Sequence, residues 1–239
     1  MDTSVKEFFK SAKFSGFFVA VLWLVHITKL LLDFNLTRWG IFPREMDGIW
    51  GIFAAPLIHG SWQHLISNSA PLFVSLVIIH YFYKRVVVSS FVLIYFLTGS
   101  AVWLFGRSVY HIGASGVVYG LIAFIFWSGV FRRNIKSIVL ALIVTILYVG
   151  YLEGIVPFQE GISWESHLLG LIVGIIVAFF MKGIIEKDEV PQNPWADDDS
   201  DFEFLLPRDT FEKTMEQRAL EERMRQLDQD SGDGFIQRF

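Results

Sequence analysis

The segment HIGASGVVYGLIAF, His111 to Phe124, sets Ser115 between small residues and then runs into an apolar stretch that ends only at Arg132 and Arg133. Read as a helix, Ser115 to Phe131 rises about 25 Å, short of a hydrocarbon layer about 30 Å thick. With Arg132 and Arg133 anchoring its cytoplasmic end, the helix must begin below the opposite surface. The preceding loop, GRSVYHIGA, is then expected to dip into the membrane. Irregular backbone is tolerated there only where it lines a polar cavity or is buried in protein. Ser115 is accordingly expected at the positive end of a helix, on the floor of a water-filled pocket.

Apolar residues make up 53% of the chain and aromatic ones 16%. They fall in blocks of about twenty, which membrane spans require and soluble cores rarely need. Six blocks stand out: Phe14 to Leu32, Leu65 to Tyr83, Val86 to Phe105, Ser115 to Phe131, Ile135 to Tyr151 and His167 to Ile185. The expected fold is an all-α membrane protein, a six-helix bundle over residues 14–185, between a cytoplasmic N-terminus (1–13) and a soluble tail (186–239). Lys6, Lys10 and Lys13 precede the first block as in a secretory signal. The run is too long and lacks a small-residue cleavage pattern, so a retained helix is expected. Basic residues gather in alternate connections, at Lys84 and Arg85, at Arg132, Arg133 and Lys136, and at Lys182 and Lys187. This bias places both termini in the cytoplasm.

Residues 1–185 carry 13 basic and 8 acidic side chains, whereas 186–239 carry 7 and 16, so a membrane part of +5 precedes a tail of −9. Such a tail argues against nucleic acid and anionic lipid as its partners. The chain has no cysteine, which removes disulfides, a thiolate nucleophile and thiolate-held metal.

Hydrogen-bonding groups at membrane depth usually face a protein interior or a wet cavity. IHGSWQHLISNSA supplies His59, His64 and Asn68, the last two one turn apart on one helix face. SWESHLLGLIVG supplies His167, with Gly170 and Gly174 on its own face. Gly116 and Gly120 in the fourth span and Gly170, Gly174 and Ala178 in the sixth are small-residue faces, which let membrane helices approach closely. Their packing would bring His167 alongside Ser115. The fifth span has no such face and is expected to be held more loosely. The set suits acyl transfer, with Ser115 as nucleophile and His167 as base. The Ser115 N–H, Asn68 and His64 are donors for an oxyanion, and Gly113 and Gly116 allow close approach. Singly, each residue has a plainer reading: a serine at a helix start is a cap or packing contact, and His26, His80 and His111 are packing groups. A metal on His59, His64 and His167 is the competing use of the histidines. No H-E-x-x-H motif supports it, so neither metal nor cofactor is expected.

These residues resemble the rhomboid intramembrane serine proteases over about residues 14–185. GASG is similar to the family's G-x-S-G, HGSWQHLISN to its second-span motif, and HLLGLIVG to its H-x-x-G-x-x-x-G. The resemblance implies a Ser115–His167 dyad without a carboxylate, with His64 and Asn68 at oxyanion positions and Tyr119 as an aromatic packed on the base. It implies a first loop, Asn35 to Gly60, lying half in the outer leaflet, and cleavage of single-span transmembrane proteins that enter sideways from the lipid bilayer near the second and fifth helices. The implied location is a bacterial inner membrane. Two departures are visible: Trp50-Gly51 stands where the family often has Trp-Arg, and His80 where it often has glutamate. The competing class is a non-catalytic rhomboid relative that binds membrane clients; such relatives usually lack the serine or the histidine. In the tail, a helix is expected from Asp209 to Leu227, with Glu212 in capping-box position and Phe211, Met215, Met224 and Leu227 as a weak apolar stripe.

Overall fold

A computed structural model describes residues 3–155, 163–186 and 212–236. The chain divides into two units, residues 1–190 and 191–239. The first unit is helical throughout its described elements: α1 (Thr3–Leu31), a four-residue α2 (Gly51–Ala54) among short 3-10 turns, α3 (Trp62–Phe82), α4 (Val87–Phe105), α5 (Ser115–Arg132), α6 (Ile135–Tyr148) and α7 (Trp164–Met181). Five of these, α1, α3, α4, α5 and α7, are long and apolar enough to cross a membrane. The expected fifth span, α6, is shorter: its α-helix stops at Tyr148 and passes into a 3-10 turn, Val149–Ile155. At 14 residues it rises about 21 Å.

Boundaries differ from the hydropathy reading where polar side chains extend a helix. α1 starts at Thr3 rather than Phe14, and Glu7 in its first turns pairs with Lys84 at 2.9 Å. Ser11 Oγ lies 2.8 Å from His80 Nδ1, so the histidine that replaces a family glutamate joins α1 to the end of α3. α3 starts at Trp62 because the Ser61 hydroxyl accepts from the His64 N–H, a side-chain cap.

The most extensive helix contact is between α5 and α7. A Cβ on Gly170 would strike the Gly116 carbonyl, and one on Gly174 the Gly120 carbonyl, so the two backbones touch where side chains would hold them apart. α4 packs on α7 and α3 on α5. The fully buried Leu65, Leu76, Ile79, Ile94, Leu121 and Phe124 fill the space between them. α6 packs mainly on α5, where Gly129 meets Ser137 and Ala141, and its other face is exposed, Ile146 to 77%.

In the second unit, α8 runs from Met215 to Ile236. It starts later than Asp209, a residue outside those described, and continues past Leu227. Its capping box is Thr214 with Gln217, in place of the expected box that Glu212 would close: Thr214 Oγ1 accepts from the Gln217 N–H at 3.3 Å and Gln217 Oε1 accepts from the Thr214 N–H at 2.9 Å. Met215, Met224 and Leu227 are exposed.

Candidate active site

α5 begins at Ser115 with no side chain capping it. Its first N–H groups therefore have neither an intrahelical acceptor nor a cap, and the half-buried Ser115 sits at the positive end of the helix. The loop before it is pinned from several sides. Ile41 and His111 exchange both backbone hydrogen bonds, 3.0 and 2.9 Å, and the Gly113 N–H donates to the Ala55 carbonyl at 2.8 Å. Gly113 has φ +106°, a conformation open to glycine. A Cβ there would stand 2.5 Å from His64 Nε2 and 3.6 Å from Asn68 Nδ2, so both side chains of α3 crowd the residue two before the serine. Asn68 is 3% exposed, and among the described residues its Nδ2 donor has no partner. A small cleft beside this loop is lined by Gly113, Gly116, His111, Thr98 and Ser166.

His167 comes from the first turn of α7. Its ring stacks on Tyr119, with centroids 4.2 Å apart and planes 11° from parallel. Tyr119 lies one turn after Ser115, so the stack sets the imidazole against the helix face that begins with the serine. His167 Nδ1 lies 2.8 Å from the Gly154 carbonyl. A carbonyl only accepts, so Nδ1 carries the proton and Nε2 keeps the lone pair that a base needs. The Tyr119 hydroxyl donates to the Tyr151 carbonyl. Among the described residues Ser115 Oγ has no hydrogen-bond partner. The structure thus brings serine and histidine to one helix face without the Oγ to Nε2 contact, which in unliganded enzymes is often made only with substrate.

A family model, the rhomboid domain, matches residues 46–183. The chain belongs to the rhomboid family. It is 36% identical over 178 residues to an uncharacterized protein of Mycobacterium bovis and to one of Mycobacterium tuberculosis, an overlap covering 69% of this chain and 72% of each relative. An uncharacterized protein of Mycobacterium leprae is 35% identical over 178 residues, 69% of each chain. With the apolar helices, this makes the chain a multi-pass rhomboid membrane protein.

Several groups besides the serine, the base and Asn68 build this rhomboid site. His59, fully buried, accepts from the Ala114 N–H at 3.5 Å and so holds the loop one residue before Ser115. Burial pushes its pKa down to about 3, and the neighbouring His64, 5.0 Å away ring to ring, adds to the effect. His59 is therefore a neutral packing acceptor. Among the described residues no His, Asp and Glu cluster is placed to hold a metal ion. His111 donates through Nε2 to the Arg107 carbonyl at 2.9 Å and accepts through Nδ1 from Ser163 at 2.5 Å, while Ser163 and Ser166 lie 2.7 Å apart. Arg107 pairs with the buried Glu165 at 2.9 Å. Together these tie the serine's loop to the first turn of the histidine's helix. The polar run SWES before His167 was the available signal. Gly51, the departure from Trp-Arg, presses on the backbone of Gly40 and Ile41, where no side chain fits. His26, 1% exposed, packs edge-on against Trp62 at 4.7 Å.

Proposed function

We propose that this rhomboid protein is an intramembrane serine endopeptidase that cleaves single-span transmembrane proteins in or near their membrane segments. The observation that carries the reading is the state of His167: it stacks on Tyr119, one turn after Ser115, and its Nδ1 is bonded to a carbonyl, which leaves Nε2 as the nitrogen that can act as a base. As Ser115 Oγ attacks the scissile carbonyl carbon, Nε2 takes its proton. The negative charge that develops on the carbonyl oxygen meets the Ser115 N–H, Asn68 Nδ2 and His64. Collapse breaks the C–N bond, His167 returns the proton to the leaving amine, and a water activated by the same nitrogen hydrolyses the acyl-enzyme. The chemistry calls for no metal or cofactor. Both termini lie in the cytoplasm, in a bacterial inner membrane, and the site opens to the opposite side.

The test is a fluorophosphonate probe on the purified chain in detergent, followed by cleavage of a single-span membrane substrate. Ser115 should be the residue modified, and Ser115→Ala should stay folded while losing both labelling and cleavage. His167→Ala should lose nearly as much, because the pair acts as a unit. Cleavage that persists in Ser115→Ala would overturn the reading. A folded parent that binds membrane clients without reacting at Ser115 would establish the client-binding alternative.

A further inference from the structure

Ser-His-Asp enzymes orient their imidazole with a buried carboxylate, which fixes the tautomer and the ring plane. Around His167 that position is held by a short turn between α6 and α7. We propose that the 3-10 turn Val149–Ile155 is the orienting element for the base, with Gly154 as its positioning residue; this rests on the serine-protease reading above.

Two features of Gly154 support the assignment. Its carbonyl accepts from His167 Nδ1 at 2.8 Å, which is the tautomer-setting bond. A Cβ on this residue would collide with the Tyr119 hydroxyl and stand 3.0 Å from His167 Nδ1, so only a glycine lets the backbone reach the edge of the stacked pair. Its backbone is not the cause: among the described residues Gly113 alone has positive φ among glycines, and alanine would suit a helical turn at Gly154 better than glycine does. Contact, not conformation, requires glycine here.

The same turn reaches two other parts of the site. The Tyr151 carbonyl accepts from the Tyr119 hydroxyl, so the ring that stacks on the base is itself held by the turn. The Tyr151 hydroxyl donates to the Ser67 carbonyl at 2.8 Å, and Ser67 immediately precedes Asn68. One element thus contacts the base, the ring beneath it and the helix that carries the oxyanion donors. A neutral carbonyl performs the orientation without burying a charge at membrane depth, where a carboxylate is costly. A misaligned base costs rate rather than binding, which gives the proposal a kinetic signature.

The experiment measures fluorophosphonate modification of Ser115 in the full-length chain in detergent, separating the rate at saturation from the half-saturating concentration. Gly154→Ala should lower the saturated rate about 10- to 100-fold, with half-saturation within about twofold of the parent. Gly150→Ala, in the same turn with nothing within 4 Å of a Cβ, should react like the parent. Adding Tyr119→Phe to Gly154→Ala removes the atom that the new methyl strikes first, and should recover about tenfold of the loss. Modification of Gly154→Ala at the parental rate would overturn the proposal. So would an equal loss in Gly150→Ala, or a loss accompanied by lower Tm that Tyr119→Phe leaves unchanged. A parent chain whose Ser115 does not react at all would overturn the protease reading and this inference with it, an outcome distinct from a defect confined to Gly154→Ala.

Discussion

Asn68 shows how much a single buried group can reveal. A primary amide at 3% exposure with an unbonded Nδ2 is an expense in a resting structure, and one that an oxyanion would offset. Asn68→Ala is expected to lower the cleavage rate about 10- to 1000-fold while Tm stays near the parent value, as rate and melting assays will check. His59 works in the opposite sense, through stability. It is neutral in the fold, with a pKa of about 3 against 6.5 for an ordinary histidine. The unfolded chain therefore binds a proton that the folded one refuses as pH drops below about 6.5, and stability falls by roughly 1.4 kcal/mol per pH unit from there toward 3. Melting in detergent should show Tm decreasing over that window, with a shallower slope in His59→Gln. His111, pushed down by burial, contributes in the same direction.

At the scale of elements, the α5–α7 contact decides whether the site exists. Gly116 and Gly170 set two backbones together, and the histidine and serine ride on the first turns of those helices. Gly170→Val should force the helices apart. Overpacking of this kind costs about 1–3 kcal/mol, so Tm should fall and fluorophosphonate labelling with it. Gly183→Ala, with nothing within 4 Å, should leave both unchanged. α6 makes one such contact, Gly129 of α5 against Ser137 and Ala141, and its exposed face of Ile135, Leu142 and Ile146 suits lipid rather than protein.

For the whole molecule, the alternation of basic connections predicts orientation. Reporter fusions after Arg133 should read cytoplasmic and those after Glu160 external. The acidic tail holds no candidate site residue and falls in a separate unit. A chain ended after Lys187 should label at Ser115 at the parental rate; loss of labelling with Tm unchanged would assign the tail a part in the chemistry.

The sequence by itself determined the membrane class, the Ser115 and His167 candidates and the pairing of their helices, because hydropathy and small-residue spacing are written in side chains. Small-residue faces mark where helices can approach closely, so the pairing of the Gly116 and Gly170 helices was legible in the sequence. Tertiary structure decided the rest. A backbone carbonyl occurs at every residue, so no pattern marks the Gly154 oxygen as the one that meets His167. The bond from His111 to Ser163 spans 52 residues and has no local signature. α6 looked like a full span by hydropathy, yet its last residues turn away in a 3-10 segment to reach Tyr119 and His167. Composition records how apolar a segment is, while the contacts its backbone makes exist only once the other helices are in place.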